Sequence, residues 1–211
     1  MIRVLIADDH AILRRGLRQI IAETADLAVV GEACNSAEAL KFVREQACDV
    51  VLLDISMPDR NGIETLKLIR KERPRVSVLM LSMHPENQYA LRALRSGAAG
   101  YLNKQSAPMQ LVHAVREVAR GRKYLTPQVA EELADNLVRG EEQQQDHHAL
   151  SNREFQTMCL IASGKTATEI AEQLSLSVKT ISAYRARILE KLGLRSNAEI
   201  THYAIKNGLV D

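Results

Sequence analysis

Four short apolar runs, each leading to a polar residue suited to phosphate chemistry, constrain this chain more than any other feature. Val4-Leu5-Ile6-Ala7 runs into Asp8 and Asp9, Val50-Val51-Leu52-Leu53 into Asp54, and Val78-Leu79-Met80-Leu81 into Ser82, while Gly100-Tyr101-Leu102 leads, one residue later, to Lys104. Apolar runs of this length that carry β-branched residues read as strands buried on both faces. If the strands are parallel, their carboxyl ends share one edge of the sheet, the edge at which open α/β sheets bind ligands. Three carboxylates, a hydroxyl and an ammonium then converge there, which describes a cation site built to accept a phosphoryl group.

Strand patterns alternate with amphipathic helical patterns up to about residue 120. The strands are expected at Arg3–Ala7, Ala28–Ala33, Val50–Asp54, Ser77–Leu81 and Gly100–Leu102. The helices are expected at Ala11–Ala25, Ser36–Glu45, Gly62–Glu72, Pro85–Ser96 and Pro108–Arg120, with Ser36 and Glu38 as the start signal of the second. Five βα units predict an α/β fold: a flavodoxin-like, doubly wound, five-stranded parallel sheet in the order 2-1-3-4-5. Pro127–Arg139 predicts one further helix, and the polar stretch from Glu141 to His148 reads as a flexible linker with two solvated histidines. Beyond Leu150 no strand signal remains. Helices are expected at Asn152–Ala162, Ala167–Leu174, Val178–Leu192 and Asn197–Asn207, with Ser151 and Glu154 as a capping box, Ser177 and Ser196 as caps, and Gly164, Gly193 and Gly208 at helix ends. This all-α, four-helix segment has two helices joined by Ser175-Leu176-Ser177, the second longer, which is a helix-turn-helix signal.

The net charge of +2 is unevenly spread: +5 over residues 1–124, −5 over residues 125–146 and +2 over residues 147–211. The acidic middle suits a solvated linker, and net charge alone does not argue for nucleic acid. No run approaches ~18 consecutive apolar residues, and the first residues enter a strand directly, with no apolar leader. Cys34, Cys48 and Cys159 show no metal or disulfide spacing and read as buried thiols of a cytoplasmic protein.

Phosphoryl transfer needs a nucleophile, neutralisation of the equatorial oxygens and accurate positioning. An aspartate serves as nucleophile and yields an acyl phosphate. Asp8 and Asp9 would repel Asp54 unless a divalent cation sat among them, and Mg²⁺ suits carboxylate oxygens. With those residues in view, positions 1–120 resemble the receiver domain of bacterial two-component response regulators. Asp54-Ile55-Ser56-Met57-Pro58-Asp59-Arg60-Asn61-Gly62 has that family's form: Asp, two residues, Met-Pro, three residues, Gly. The resemblance implies that Asp54 is phosphorylated by a sensor histidine kinase or phosphotransfer protein. It implies that Asp8, Asp9, Asp54 and the backbone carbonyl of Ser56 hold Mg²⁺, and that Ser82, Tyr101 and Lys104 are the catalytic and switch residues. His10 reads as the start of the first helix.

On the helix Val178–Leu192, the residues Val178, Ile181, Ile188, Leu189 and Leu192 form an apolar face. Lys179, Ala183, Ala186, Arg187 and Glu190 lie opposite, with Ser182 at one flank, a small and basic surface that lets a helix approach the major groove. Arg185 falls near the apolar centre, where its stem can pack while its head snorkels. Residues 150–211 resemble the LuxR-type helix-turn-helix, through Leu150-Ser151-Asn152-Arg153-Glu154, Ala167-Thr168-Glu169-Ile170-Ala171 and Val178-Lys179-Thr180-Ile181. Together the two halves resemble a NarL/FixJ-type response regulator, with a receiver at 1–122, a linker at 123–148 and a DNA-binding domain at 149–211. By that resemblance Ser182, Ala183 and Ala186 face bases, Lys179, Thr180 and Arg187 face phosphates, and Ile200, Tyr203 and Ala204 form a dimer seam.

The function so implied is that of a cytoplasmic, phosphorylation-switched transcription factor acting as a homodimer on promoter DNA, with RNA polymerase a further candidate partner. Its only chemistry is its own phosphoryl transfer and autodephosphorylation. Two rivals stay open on the sequence: a flavodoxin-like or phosphatase-like catalyst, and a DNA-binding protein whose receiver serves only to dimerise. The first βα loop, Asp8-Asp9-His10, would repel a flavin phosphate, and the full acidic set argues against the second.

Overall fold

The structure is a computed structural model that describes residues 1–83, 86–105, 107–139 and 146–210. It forms two compact units, Met1–Glu132 and Leu133–Asp211. The residues 140–145, within the stretch read as a linker, and Pro85, read as a helix start, lie outside the described residues.

The first unit holds a five-stranded parallel sheet of β1 (Ile2–Ala7), β2 (Leu27–Ala33), β3 (Val50–Asp54), β4 (Ser77–Ser82) and β5 (Gly100–Asn103), in the order β2-β1-β3-β4-β5. The interleaved helices are α1 (Ala11–Ala22), α2 (Ser36–Glu45), α3 (Gly62–Glu72), α4 (Glu86–Arg95) and α5 (Ala107–Ala119); α6 (Pro127–Arg139) follows and runs across the boundary at Glu132 into the second unit. Strand residues sort by their period of two. Val4, Ile6, Val50, Leu52, Leu79, Leu81 and Leu102 join Leu17 and Ile21 of α1 and Leu111, Val115 and Val118 of α5 in one core. The alternate residues Leu5, Val51, Leu53, Val78, Met80 and Tyr101 are equally buried. Both sheet faces are therefore covered, which is why these strands appear in the sequence as continuous apolar runs.

Element ends depart from expectation where local polar groups intervene. The first helix stops at Ala22 rather than Ala25, because the Thr24 hydroxyl donates to the Ile21 carbonyl at 2.7 Å and closes the last turn. The cap of α2 is Asn35, not Ser36: the Asn35 side chain accepts from the Glu38 N–H at 2.8 Å, and Ser36 is already helical. Cys48 and Cys159 are buried as expected, but Cys34 is exposed, its thiol donating to Glu38 Oε1 at 3.2 Å.

In the second unit, a short 3₁₀ turn (Asp146–Ala149) precedes α7 (Asn152–Ala162), α8 (Ala167–Leu174), α9 (Val178–Leu192) and α10 (Asn197–Lys206). The Ser151–Glu154 capping box is present, and Thr166 with Glu169 forms a second at the start of α8. Buried Glu154 also accepts from Lys191 Nζ at 2.8 Å, tying α9 to α7. Lys191 and the Ser151 N–H hold the Glu154 carboxyl below its usual range, against the burial that would raise it. The turn between α8 and α9 is set by Ser175 at φ 52°, ψ 46°, the one non-glycine residue of the described chain at positive φ. No helix among the described residues is long and apolar enough to cross a membrane.

Candidate functional site

Strand register builds the phosphate-handling edge. Ala7 pairs with Leu53, so Asp8 and Asp54 follow side by side. Asp54 pairs with Leu81, which carries Ser82 one residue further out. Ser82 pairs with Asn103, which does the same for Lys104. The Lys104 N–H donates to the Ser82 carbonyl at 2.8 Å and fixes that last step.

The converging side chains are deeply buried: Asp8 at 0 % exposure, Asp54 at 1 %, Ser82 at 0 % and Lys104 at 6 %. Lys104 Nζ stands 2.7 Å from Asp8 Oδ2 and 2.9 Å from Asp54 Oδ2. One ammonium thus serves two buried carboxylates, and the exposed Asp9 lies in the same group of acidic side chains. Beyond Lys104 and the Ser56 N–H, no donor among the described residues reaches Asp8 Oδ2 or the two buried oxygens of Asp54. Such oxygens are costly to bury unless something else satisfies them. Burial pushes the Asp54 carboxyl up to about 6, the Asp8 carboxylate adding to the rise while Lys104 and the nearby Ser56 N–H oppose it. Burial alone would lower the Lys104 ammonium, but Asp54 and Asp8 outweigh it and hold it above its ordinary value.

The loop after β3 is folded back on the strand end. The Gly62 N–H donates to the Ile55 carbonyl at 2.8 Å, and a Cβ on Gly62 would lie 2.0 Å from the Asp54 backbone oxygen. No residue but glycine fits there, which gives the last position of the Asp-x-x-Met-Pro-x-x-x-Gly segment its physical reason. Asn61 caps α3 through the Ile63 N–H at 2.9 Å. Asp59 accepts from the Ser36 and Ala37 N–H groups at 3.0 and 3.1 Å, anchoring the loop to the start of α2. Met57 is buried and Ser56 half-buried between these anchors. Tyr101 is fully buried in β5, deeper than the half-buried place a strand tyrosine ordinarily takes.

His10 belongs to this edge, which the sequence did not suggest. It is the cap residue of α1, as expected, but its ring Nδ1 lies 2.7 Å from Asp9 Oδ1 and 3.1 Å from Asp8 Oδ1. One ligand atom from each of Asp8, Asp9, His10 and Asp54 lies within 4.8 Å of every other. The donor set is oxygen-rich and carries uncompensated negative charge, so it fits Mg²⁺ or a similar divalent cation. Beside it, Ile12, Leu13, Gly16, Met83 and Pro108 line an apolar hollow of about 410 Å³ that reaches Lys104.

In the second unit, Ile181 and Ile188 bury one face of α9. Lys179, Ser182, Ala183, Ala186 and Arg187 are exposed on the other, so the row expected to face DNA shares one open surface. Thr180 is half-buried, its hydroxyl 2.8 Å from that of the cap residue Ser177 and its N–H donating to Ser177 Oγ. Arg185 is half-buried and donates from Nε to Asn197 Oδ1 at 2.6 Å, joining α9 to the start of α10. Val178, assigned to the apolar face, is 45 % exposed.

Two expectations are corrected. Ile200 and Ala204 are completely buried within the unit and supply its core, so they are not a surface seam. The exposed residues of α10 are Asn197, Ala198, Glu199, His202, Ile205 and Lys206. His147 is not solvated: it is 3 % exposed, its N–H donates to the Tyr203 hydroxyl at 3.1 Å, and its ring packs near Phe155. Tyr203 is accordingly half-buried and engaged inside the unit.

Residues 4–116 match the response regulator receiver domain, and residues 148–204 match the bacterial regulatory proteins of the luxR family. Over 209 residues the chain is 40 % identical to the response regulator UvrY of Escherichia coli (strain K12), covering 99 % of this chain and 96 % of the relative. It is 36 % identical over 211 residues to the response regulator GacA of Pseudomonas aeruginosa, covering 100 % of this chain and 99 % of the relative. Among solved structures, it resembles RcsB from Salmonella enterica serovar Typhimurium bound to promoter rprA with phosphomimetic BeF₃⁻. The TM-score there is 0.66 at 28 % identity, over 96 % of this chain and 98 % of that one.

Proposed function

The chain belongs to the response regulators of the NarL/FixJ type, a receiver domain joined to a luxR-family DNA-binding domain, and from that premise we propose that phosphorylation of Asp54 controls binding of α9 to promoter DNA. The observation that carries this reading is the strand-end cluster, in which a buried carboxylate of raised pKa stands 2.9 Å from a buried ammonium.

The phosphoryl donor is a phosphohistidine of a sensor kinase or phosphotransfer protein. An Asp54 oxygen attacks phosphorus, the new O–P bond forms as the N–P bond breaks, and the departing imidazole takes up a proton. Lys104 stands ready to pair with a phosphoryl oxygen and Ser82 to donate to another. Asp8, Asp9, Asp54 and the Ser56 carbonyl would hold a divalent cation, which would neutralise the equatorial oxygens. The apolar hollow beside the site, lined by Ile12 at 90 % and Met83 at 58 % exposure, offers the donor protein a platform. The receiver's chemistry ends with this transfer and its hydrolysis.

The phosphoryl group adds roughly −1.5 to −2 charge and three acceptor oxygens. Drawing Ser82 inward frees space that Tyr101 fills, which remodels the face of β4, α4 and β5. The output is a homodimer on double-stranded DNA inside the cytoplasm. Lys179 and Arg187 neutralise phosphates there, and Ser182, Ala183 and Ala186 let α9 sit close to the bases. The domain limits proposed are 1–122, 123–148 and 149–211. Labelling with radioactive acetyl phosphate and Mg²⁺ tests the site: wild type should take up label and Asp54→Asn none, whereas equal labelling would move the acceptor elsewhere.

A further inference from the structure

The phosphoacceptor edge contains one donor that the proposed chemistry does not use. The His10 ring reaches Asp9 and Asp8 at 2.7 and 3.1 Å, and its nitrogen belongs to the same compact group of ligand atoms as the three carboxylates. On the reading that Asp8, Asp9 and Asp54 hold a divalent cation, we propose that His10 is a further ligand of that cation. Its nitrogen then sets the site's preference toward Mn²⁺ and later first-row metals over Mg²⁺.

Three observations support this role. The first is availability. His10 caps α1 by backbone only, at φ −85° and ψ 102°, and its side chain makes no capping bond. The His10 N–H donates to Asp8 Oδ1 at 2.8 Å, which fixes the backbone beside the acidic pair while the ring, 63 % exposed, can still turn. The second is span. Opposite ligands of a cation with bonds of about 2.1 Å stand about 4.2 Å apart, so the 4.8 Å group needs only a small inward motion to close. The third is charge. Three carboxylates against the single Lys104 ammonium leave two negative charges, which a divalent cation cancels. A further ligand must then be neutral, as imidazole is. The buried carboxylates of Asp8 and Asp54, which share one ammonium, point independently to a missing counter-charge at this edge.

Ligand chemistry fixes the direction of the preference. Mg²⁺ favours oxygen donors and dehydrates reluctantly, whereas affinity for a site containing nitrogen rises through the first-row series. An imidazole in the set raises affinity for Mn²⁺ and its successors while adding little for Mg²⁺.

The test uses the full chain loaded with Mn²⁺ and pulsed electron paramagnetic resonance, which detects nitrogen bound to the metal. Wild type should show the ¹⁴N couplings of a directly bound imidazole. His10→Ala and His10→Gln should both lose them, and the Mn²⁺-over-Mg²⁺ preference from calorimetry should fall roughly tenfold, the smaller end of what partners of a metal site contribute. Glutamine keeps a hydrogen-bond donor beside Asp9 and guards against a folding defect in the alanine variant. Mn²⁺ bound without ¹⁴N coupling in wild type, or a preference that survives in His10→Gln, would overturn the assignment and leave His10 only as a group that orients Asp9. Failure of the underlying reading looks different: Mn²⁺ affinity would then be unchanged in Asp54→Asn.

Discussion

The two working surfaces of this chain are built in opposite ways. At the receiver edge, Asp8, Asp54, Ser82 and Lys104 are buried and placed by the register of four strands. On α9, Lys179, Ser182, Ala183, Ala186 and Arg187 are exposed and placed by the pitch of one helix, which is held from beneath by Ile181 and Ile188. A buried cluster couples its members through charge and desolvation, so removing one disturbs all of them. An exposed row contributes nearly independent terms, so each removal subtracts its own share. The first arrangement suits a switch, and the second suits a graded grip on DNA.

The largest effect expected from that contrast is at Lys104. Lys104→Ala should destabilise the metal-free protein by about 3–5 kcal/mol in urea unfolding, because it leaves Asp8 and Asp54 buried without a counter-charge, and Mg²⁺ should recover part of the loss. A loss below 1 kcal/mol would mean that the cluster is not coupled. Next comes pH. Burial raises the Asp54 carboxyl from 3.8 to about 6, so in that window the folded protein binds this proton more tightly than the unfolded chain does. The contribution of Asp54 to stability in EDTA should therefore be fullest below about pH 4 and be lost as pH rises through 6. Asp54→Asn, which has no such proton, should lack that component of the decline in thermal melts.

Smaller effects belong to the helix. Lys179→Ala should change stability by less than about 0.5 kcal/mol, while weakening DNA binding alike for all sequences and reducing the salt slope by about one. A loss confined to one operator sequence would move Lys179 from phosphate to base contact. The smallest expected effect is at the turn: Ser175→Gly relieves a left-handed serine and should stabilise the protein by up to about 1 kcal/mol, read as a small rise in the urea midpoint.

The same contrast governs what the sequence disclosed. Val50–Asp54, Gly62–Glu72 and Val178–Leu192 were legible to the residue because period, cap and breaker agree there. The acidic and basic members of the receiver edge were legible because each lies within two residues of the end of an apolar run. What escaped depends on contacts between elements distant in sequence or on side-chain direction. Asp59 anchors α2 from a loop, Arg185 finds Asn197 twelve residues on, and His147 is buried against Tyr203. Ile200 and Ala204 were assigned to a seam because an apolar pair on a terminal helix does not reveal which neighbour covers it; here that neighbour is the unit's own core. Gly62 is visible in the sequence as part of a segment, but its reason, the backbone oxygen of Asp54 where a Cβ would be, is a close approach that only the folded loop creates.

The central claim is that the state of Asp54 sets the grip of α9. Its most direct test is operator affinity of the full chain before and after treatment with acetyl phosphate and Mg²⁺, in parallel with Asp54→Asn, at fixed salt. The account predicts that phosphorylation tightens wild-type binding at least roughly fivefold, the lower end of usual coupling between sites, and leaves Asp54→Asn unchanged. Equal affinity of wild type in both states, or the same gain in Asp54→Asn, would contradict it.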